Sequence, residues 1–280
     1  MQVGLSLMLD DAFRQTALPL FEAGVVDAIE YSFELGWARP RPSWADALLQ
    51  HYGSAGRLWG HGVTFSPMSA ESSEQHEQWL ARVVQTCAGL ELQGVSEHYG
   101  FMGSGGFDVG APLPPPPLPE VAELGARTLG ALATASGVAV GIENLALALS
   151  PQDVYAQPRL IAQVLDALDG YLVLDLHNLW CQAINFELDP LTLLERYPLH
   201  RARVVHVSGG SWSTRASTRF RRDTHDGQVP EPVLTLLPEA LVRCPQLEAV
   251  ILEQLGPSLA DPALAQGYRE DFTRVRELCG

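Results

Sequence analysis

Residues 138–176 read VAVGIENLALALSPQDVYAQPRLIAQVLDALDGYLVLDL. Two short apolar runs rich in Val, Ile and Leu, at 138–143 and 171–176, flank a stretch with helical periodicity at 156–168. Gly170 stands where that helix hands over to the second strand, in the manner of a C-terminal cap. A strand, helix and strand in this order predict two parallel strands joined by a crossover. Runs that are apolar almost throughout predict burial on both faces.

The same unit recurs along the chain. Strand runs are predicted at 2–7, 25–31, 57–64, 92–97, 138–143, 171–176, 202–207 and 248–253. Helices are predicted near 11–22, 43–51, 73–89, 119–136, 156–168, 188–196, 231–243 and 262–278. Asp189-Pro190 opens the sixth helix, Pro230 and Pro232 open the seventh, and Gly137 closes the fourth. Eight such units in 280 residues are the arithmetic of an α/β fold of the (β/α)8 TIM-barrel type, expected as a single domain over 1–280. A doubly wound open sheet would carry a glycine-rich phosphate turn after its first strand, and Ser6-Leu7-Met8-Leu9-Asp10 is not one. Two connections, 99–118 and 208–229, are too long for simple turns. The proline run in the first reads as a stiff strap returning the chain to helix four.

The chain has 18 arginines, no lysine and 33 acidic residues, for a net charge of −15. That balance argues against nucleic acid and against anionic membranes as partners. No apolar run is long enough to span a bilayer, and the first residues lack the basic start of a signal peptide. Cys87, Cys181, Cys244 and Cys279 form no C-x-x-C, so a reducing cytoplasm is the expected location. Without lysine, neither a Schiff base nor a lysine-dependent phosphate loop can form. Ser66, Ser96 and Ser208 lack a G-x-S-x-G turn.

In barrel enzymes the C-terminal strand ends build the site. Here those ends carry Glu30, His61, Glu97-His98, Glu143-Asn144, Asp175 with His177 and Asn178, His206 and Glu253. The loop after strand seven adds Asp223-Thr224-His225-Asp226. One histidine or carboxylate at a strand end is usually a packed residue or a helix cap. Several carboxylates converging on one mouth must neutralise unless cations hold them. Mixed imidazole and carboxylate donors suit zinc, iron or manganese, and so many donors predict two or three metals. Glu143 lies between the His61–His98 side and the Asp175–His206–Glu253 side, so its carboxylate is placed to bridge two of them. Cys181, just beyond Asn178, reads as a buried small hydrophobe.

The order His61, His98, Glu143, Asp175-x-x-Asn178, His206, Asp223-x-His225, Glu253 resembles the trinuclear pattern of xylose isomerase-like TIM barrels, most clearly the endonuclease IV type. Asn178 stands where that pattern has a histidine. The wording of HGVTFSP (61–67), VSEHYGF (95–101), GIEN (141–144), LVLDLHNLWCQAIN (172–185) and DTHDGQVPEP (223–232) is closer to the multinuclear non-heme iron-dependent oxidative enzymes, formerly a domain of unknown function. The resemblance covers nearly the whole chain. It implies two or three irons, use of dioxygen, and action on cysteine in a ribosomally made precursor peptide with a small partner protein. It places one metal on His61, His98 and Glu143, a second on Glu143, Asp175, His206 and Glu253, and a third on Asn178, Asp223 and His225. Glu143, Asp175 and His206 are the residues expected to carry the chemistry.

The chain departs from that family around the site rather than in it. No histidine follows Glu30-Tyr31-Ser32, Gly227 replaces a histidine after Asp226, Ser208-Gly209-Gly210-Ser211 replaces a His-rich segment, and Glu253-Gln254-Leu255 replaces Glu-Trp-Asp. A metal-dependent hydrolase or isomerase of the wider superfamily is the alternative reading, and a non-catalytic metal-dependent binding protein the third. Arg215, Arg219, Arg221 and Arg222 form a small basic patch after strand seven. It reads either as a solvated face or as a clamp for an acidic peptide.

Overall fold

The computed structural model describes residues 1–38, 40–70, 74–104 and 107–280. Position 73, the first of the third predicted helix, and positions 105–106 of the first long loop lie outside the described residues.

The strands are β1 (Gln2–Leu7), β2 (Ala28–Ser32), β3 (Leu58–His61), β4 (Gly94–His98), β5 (Phe101–Ser104), β6 (Phe107–Leu113), β7 (Ala139–Glu143), β8 (Tyr171–Asp175), β9 (Ala202–Ser208), β10 (Trp212–Arg215), β11 (Thr218–Arg221) and β12 (Ala249–Glu253). The helices are α1 (Asp11–Glu22), α2 (Leu35–Ala38), α3 (Ser43–Ser54), α4 (Glu74–Cys87), α5 (Pro119–Ser136), α6 (Pro151–Leu168), α7 (Leu176–Asn185), α8 (Pro190–Leu194), α9 (Glu231–Arg243) and α10 (Pro262–Cys279). Eight strands close a barrel in the order β1-β2-β3-β4-β7-β8-β9-β12, with β12 pairing back to β1. Every pair in it is parallel. All eight predicted strand runs form, and the α/β TIM-barrel expectation holds.

The differences from the sequence reading are local. Helix α6 starts at Pro151, five residues before its predicted start: Ser150 caps it by accepting from the Asp153 N–H, and Pro151 needs no partner in the first turn. At its end Asp169, not Gly170, takes the left-handed position (φ 54°). Gly170 is required for another reason, since a Cβ there would stand 2.8 Å from the Val140 carbonyl oxygen. Gly137 does cap α5 in the left-handed conformation, at φ 73°. Helix α7 was not expected. It follows β8 with no intervening turn, and Asp175 is both the last strand residue and the helix N-cap. The two long connections are folded: β5–β6 and β10–β11 are antiparallel hairpins.

The core has two shells. Apolar strand faces pack outward against the helices. Inside, Ala28, Trp59, Tyr171, Val173, Val204, Ala249 and Ile251 fill the barrel below the mouth. Trp59 and Tyr171 meet edge-on with ring centroids 5.8 Å apart. Tyr171 fits because its neighbours are glycine. A Cβ on Gly94 would stand 2.8 Å from its hydroxyl oxygen, and one on Gly141 would overlap its ring. We therefore expect Gly141→Ala to destabilise the barrel by about 1–3 kcal/mol through overpacking, read as a lowered Tm with unchanged far-UV circular dichroism before melting. A Tm equal to wild type would show that the interior can absorb the methyl. All four cysteines are free. No helix among the described residues is long and apolar enough to cross a membrane.

Candidate metal centre

The barrel register sets candidate ligands side by side. His98 of β4 pairs with Glu143 of β7, and Asp175 of β8 pairs with His206 of β9. Two groups result. In one, donor atoms of His61, His98 and Glu143 lie within 4.8 Å of one another; in the other, those of Glu143, Asp175, His206 and Glu253 do. Glu143 belongs to both. Its Oε2 is 3.3 Å from His61 Nε2 and 3.4 Å from His98 Nε2, and its Oε1 is 3.5 Å from His206 Nδ1. All of these side chains are buried except His98, which is partly exposed.

The supporting bonds fix which atom each residue presents. His61 Nδ1 meets Ser96 Oγ at 2.8 Å, and Ser96 reaches the Gly60 carbonyl oxygen at 3.5 Å. With Ser96 donating to Gly60, His61 Nδ1–H donates to Ser96 and its Nε2 lone pair faces Glu143. His206 turns Nδ1 toward Glu143 and Glu253 (3.2 Å to Glu253 Oε2), while its Nε2 lies 3.0 Å from buried Glu30. Asp175 Oδ1 accepts from the Asn178 backbone N–H at 2.6 Å, leaving Oδ2 with no hydrogen bond among the described residues. Asn144 clamps the same strand end: its Oδ1 accepts from Asp175 N–H at 2.8 Å and its Nδ2 donates to the Asp175 carbonyl at 2.9 Å. The cap reading of a strand-end carboxylate and the ligand reading are therefore compatible in Asp175, one oxygen serving each.

The third expected group is assembled differently. Asp223 Oδ1 is 2.7 Å from His225 Nε2 and 3.2 Å from His177 Nδ1. Asn178 lines the same cleft as Asp223, but its Nδ2 is used on the Asn144 carbonyl (2.9 Å) and Glu143 Oε1 (3.4 Å). Its Oδ1 is buried without a hydrogen-bond partner among the described residues. His225 sits in the left-handed region at φ 48°, a conformation few non-glycine residues adopt, and its carbonyl is held by Leu255 N–H at 2.8 Å. His177, in contact with Asp223, and Glu30, in contact with His206 of the second group, stood among the strand-end residues without an assigned role. Glu97, also singled out at a strand end, turns away: it accepts from the Phe65 and His98 backbone N–H groups.

The donor chemistry fits cations. Glu30 Oε1, Glu143 Oε2, Asp175 Oδ2, Asn178 Oδ1 and both ring nitrogens of His206 are buried with no hydrogen-bond partner among the described residues. The His206–Glu30 and His206–Glu253 distances are short, yet they lack the angles of hydrogen bonds. Buried polar atoms converge without hydrogen bonds to one another, which is costly unless a cation is shared. The charges are strained accordingly. Burial, then Asp223, Glu143 and Glu253, push the Asp175 carboxyl well above the usual carboxylate range. Burial opposes the charge of Glu253, but His206, His225 and His61 outweigh it and hold its pKa down to about 2. Burial likewise opposes the charge of His225, and Asp223 overrides it, raising its pKa to about 10.

Residues 37–260 match the family described as RiPP precursor modification enzyme MbnB/TglH/ChrH. The chain belongs to this family. Relatives include UPF0276 proteins from Caulobacter vibrioides, 28% identical over 276 residues (96% of this chain, 91% of the relative), and from Acaryochloris marina, 26% identical over 212 residues (75% of each chain). Among solved structures, endonuclease IV from Thermus thermophilus aligns at TM-score 0.60 and 18% identity over 99% of this chain and 100% of its own. D-Psicose 3-epimerase from Clostridium cellulolyticum aligns at TM-score 0.57 and 12% identity over 100% and 97%. At those identities the likeness is one of fold, the xylose isomerase-like TIM barrel. Membership makes the chain one of a family of enzymes that modify ribosomal precursor peptides, with the carboxylate and imidazole cluster at the barrel mouth.

Proposed function

We propose that this protein is an oxidative enzyme that holds two or three iron ions at the barrel mouth and uses dioxygen to modify cysteine in a ribosomal precursor peptide, with a small partner protein presenting that peptide. The observation that carries the reading is Glu143, a buried carboxylate common to two ligand groups. In it, His61, His98 and Glu143 hold one metal, and Glu143, Asp175, His206 and Glu253 hold the second. Asn178, Asp223 and His225 take a third. Iron suits the mixed nitrogen and oxygen donors, as zinc and manganese do. Bound iron would supply one-electron redox chemistry that no side chain here offers.

The chain's own residues do the positioning. Asn178 Nδ2 steadies Glu143 from one side, so the bridging carboxylate keeps its orientation. Ser96 fixes the His61 ring, and Glu30 faces the back of His206. Such outer partners hold ligand rings in place and raise their basicity. Four free cysteines are compatible with a reducing cytoplasm as its place of work.

The test is metal analysis of protein purified without chelator from iron-supplemented cells, followed by oxygen uptake with a cysteine-containing peptide. More than one equivalent of metal per chain and ferrous-dependent oxygen uptake are expected. Protein that stays metal-free after anaerobic reconstitution would overturn the metal assignment. Turnover of phosphodiesters or sugars without oxygen would replace the oxidative reading with metal-assisted hydrolysis or isomerisation.

A further inference from the structure

A cleft of about 480 Å³ opens beside the candidate metal centre. His98, Asn178 and Asp223 contribute to its lining and tie it to that centre. Leu145, Leu147, Phe186 and Phe220 give it an apolar wall, with Leu147 exposed to solvent. Its cationic lining is Arg221, at the end of β11, and Arg222.

The chain around them carries a net charge of −15. Arg201, Arg203, Arg243, Arg274 and Arg276 each have a carboxylate within 4 Å. Among the described residues, no such ion pair is made by Arg215, Arg219, Arg221 or Arg222, nor by exposed or half-buried arginines such as Arg14, Arg57 and Arg127, so it is burial that sets Arg221 apart. Arg221 is the most telling. It is 8% exposed, and its guanidinium stacks over Trp180 and Trp212 at 5.1 and 5.8 Å. Its Nε donates to His177 Nε2 at 3.2 Å, and its other nitrogens have no hydrogen-bond partner among the described residues. A guanidinium keeps its charge even when buried, and a buried charge without a counter-ion is costly. A carboxylate entering the cleft would meet a planar donor already held in place by two indoles.

We propose that this cleft binds an acidic segment of a peptide, with an Asp or Glu side chain clamped by Arg221 and Arg222 and a neighbouring apolar side chain against Leu147, Phe186 and Phe220. The proposal rests on the peptide-modifying reading above and names the feature of the peptide that is recognised. The residue to be modified then lies toward His98, Asn178 and Asp223. A nucleic-acid phosphate is the poorer occupant, because the rest of the surface is acidic and the wall is aliphatic as well as aromatic.

Arg221 also connects the clamp to the centre. Its bond to His177 Nε2 leaves the ring proton on Nδ1, which donates to Asp223 Oδ1 at 3.2 Å. One side chain thus faces the peptide cleft and, through His177, orients a candidate ligand. Exposed Arg222, whose Nη1 donates to Ser213 Oγ at 3.1 Å, has no such link.

The test uses the full-length, metal-loaded protein under argon and two synthetic peptides, acetyl-Asp-Leu-Cys-Leu-Asp-amide and acetyl-Asn-Leu-Cys-Leu-Asn-amide. Their symmetric composition serves either chain direction, and calorimetry gives both affinities. The Asp peptide is expected to bind about tenfold tighter or better, with the ratio shrinking as salt is added. Arg222→Gln should bring the two affinities close together with metal content intact. Arg221→Gln should do the same and also weaken retention of one metal equivalent. Equal affinities in the wild type, no binding of either peptide at millimolar concentration, a preference that survives both substitutions, or tighter binding of an oligothymidylate would each overturn the proposal. Metal content and oxygen uptake are measured on the same preparations and do not enter the affinity ratio. Failure of the oxidative reading is therefore distinguishable from failure of the clamp.

Discussion

Glu143→Gln is expected to cost the protein at least one metal equivalent and its oxidative activity while the barrel stays folded. The substitution preserves shape and hydrogen-bonding capacity but removes the charge that faces His61, His98 and His206 at 3.3–3.5 Å. Burial disfavours that charge, and the three histidines outweigh it, so the Glu143 carboxyl is held below its ordinary value. An amide oxygen binds one metal weakly and does not bridge two. The fold should persist because β7 is held by its ladders to β4 and β8 and by Val140 and Ile142 in the core, none of which involve this side chain. A helix-capping role is not lost either, since Ser150 caps α6. Plasma emission analysis for metal, circular dichroism for fold and oxygen uptake for activity separate these effects. His225→Ala should be milder, affecting only the third and more exposed group. If Glu143→Gln kept full metal and activity while His225→Ala abolished both, the working site would lie on the strand-seven loop and the bridge would be wrongly assigned.

Barrel strands were legible because burial on both faces writes an unbroken apolar run, and β1, β8 and β12 match their runs to within a residue. The candidate ligands were legible because those runs end in His, Asp or Glu. What stayed hidden has physical causes. Helix α7 begins on the residue after β8, so no turn signal separates them, and Leu176 to Ala183 are all buried, which erases the amphipathic period. The hairpin strands β10 and β11 are four residues each and mostly exposed, so their sequence carries no hydrophobic alternation. The start of α6 is written in Ser150-Pro151-Gln152-Asp153, a cap signature displaced from the periodic stretch that follows it. Glu30 and His177 act through other side chains, and a contact between positions 30 and 206 or 177 and 223 leaves no trace in local spacing.

Glu30 carries the second large effect, because among the described residues it is the charged group that faces His206 Nε2. Glu30 Oε1 lies 3.0 Å from that nitrogen, both groups are buried, and His206 Nδ1 is turned toward Glu143 and Glu253. A carboxylate behind a ligating imidazole fixes its tautomer and orientation and strengthens it as a donor. Its presence also accounts in part for the charge state of His206: burial disfavours the imidazolium, yet Glu253, Glu30 and Glu143 together raise the pKa well above the usual histidine value. Glu30→Ala should therefore lower affinity for the metal at Glu143, Asp175, His206 and Glu253 by about 10–100-fold, and leave a void and an unopposed ring nitrogen in the barrel interior. Glu30→Gln should be milder, because its amide oxygen can still face Nε2 and fill the space while only the charge is lost. Competition against a chelator of known affinity measures the change, and the Ala-to-Gln contrast separates orientation from packing. Wild-type affinity in Glu30→Ala would show that the β9 backbone and its neighbours alone hold the His206 ring. Equal losses in the two variants would show that the charge of Glu30, rather than the bulk and orientation of its side chain, sets the strength of His206 as a donor.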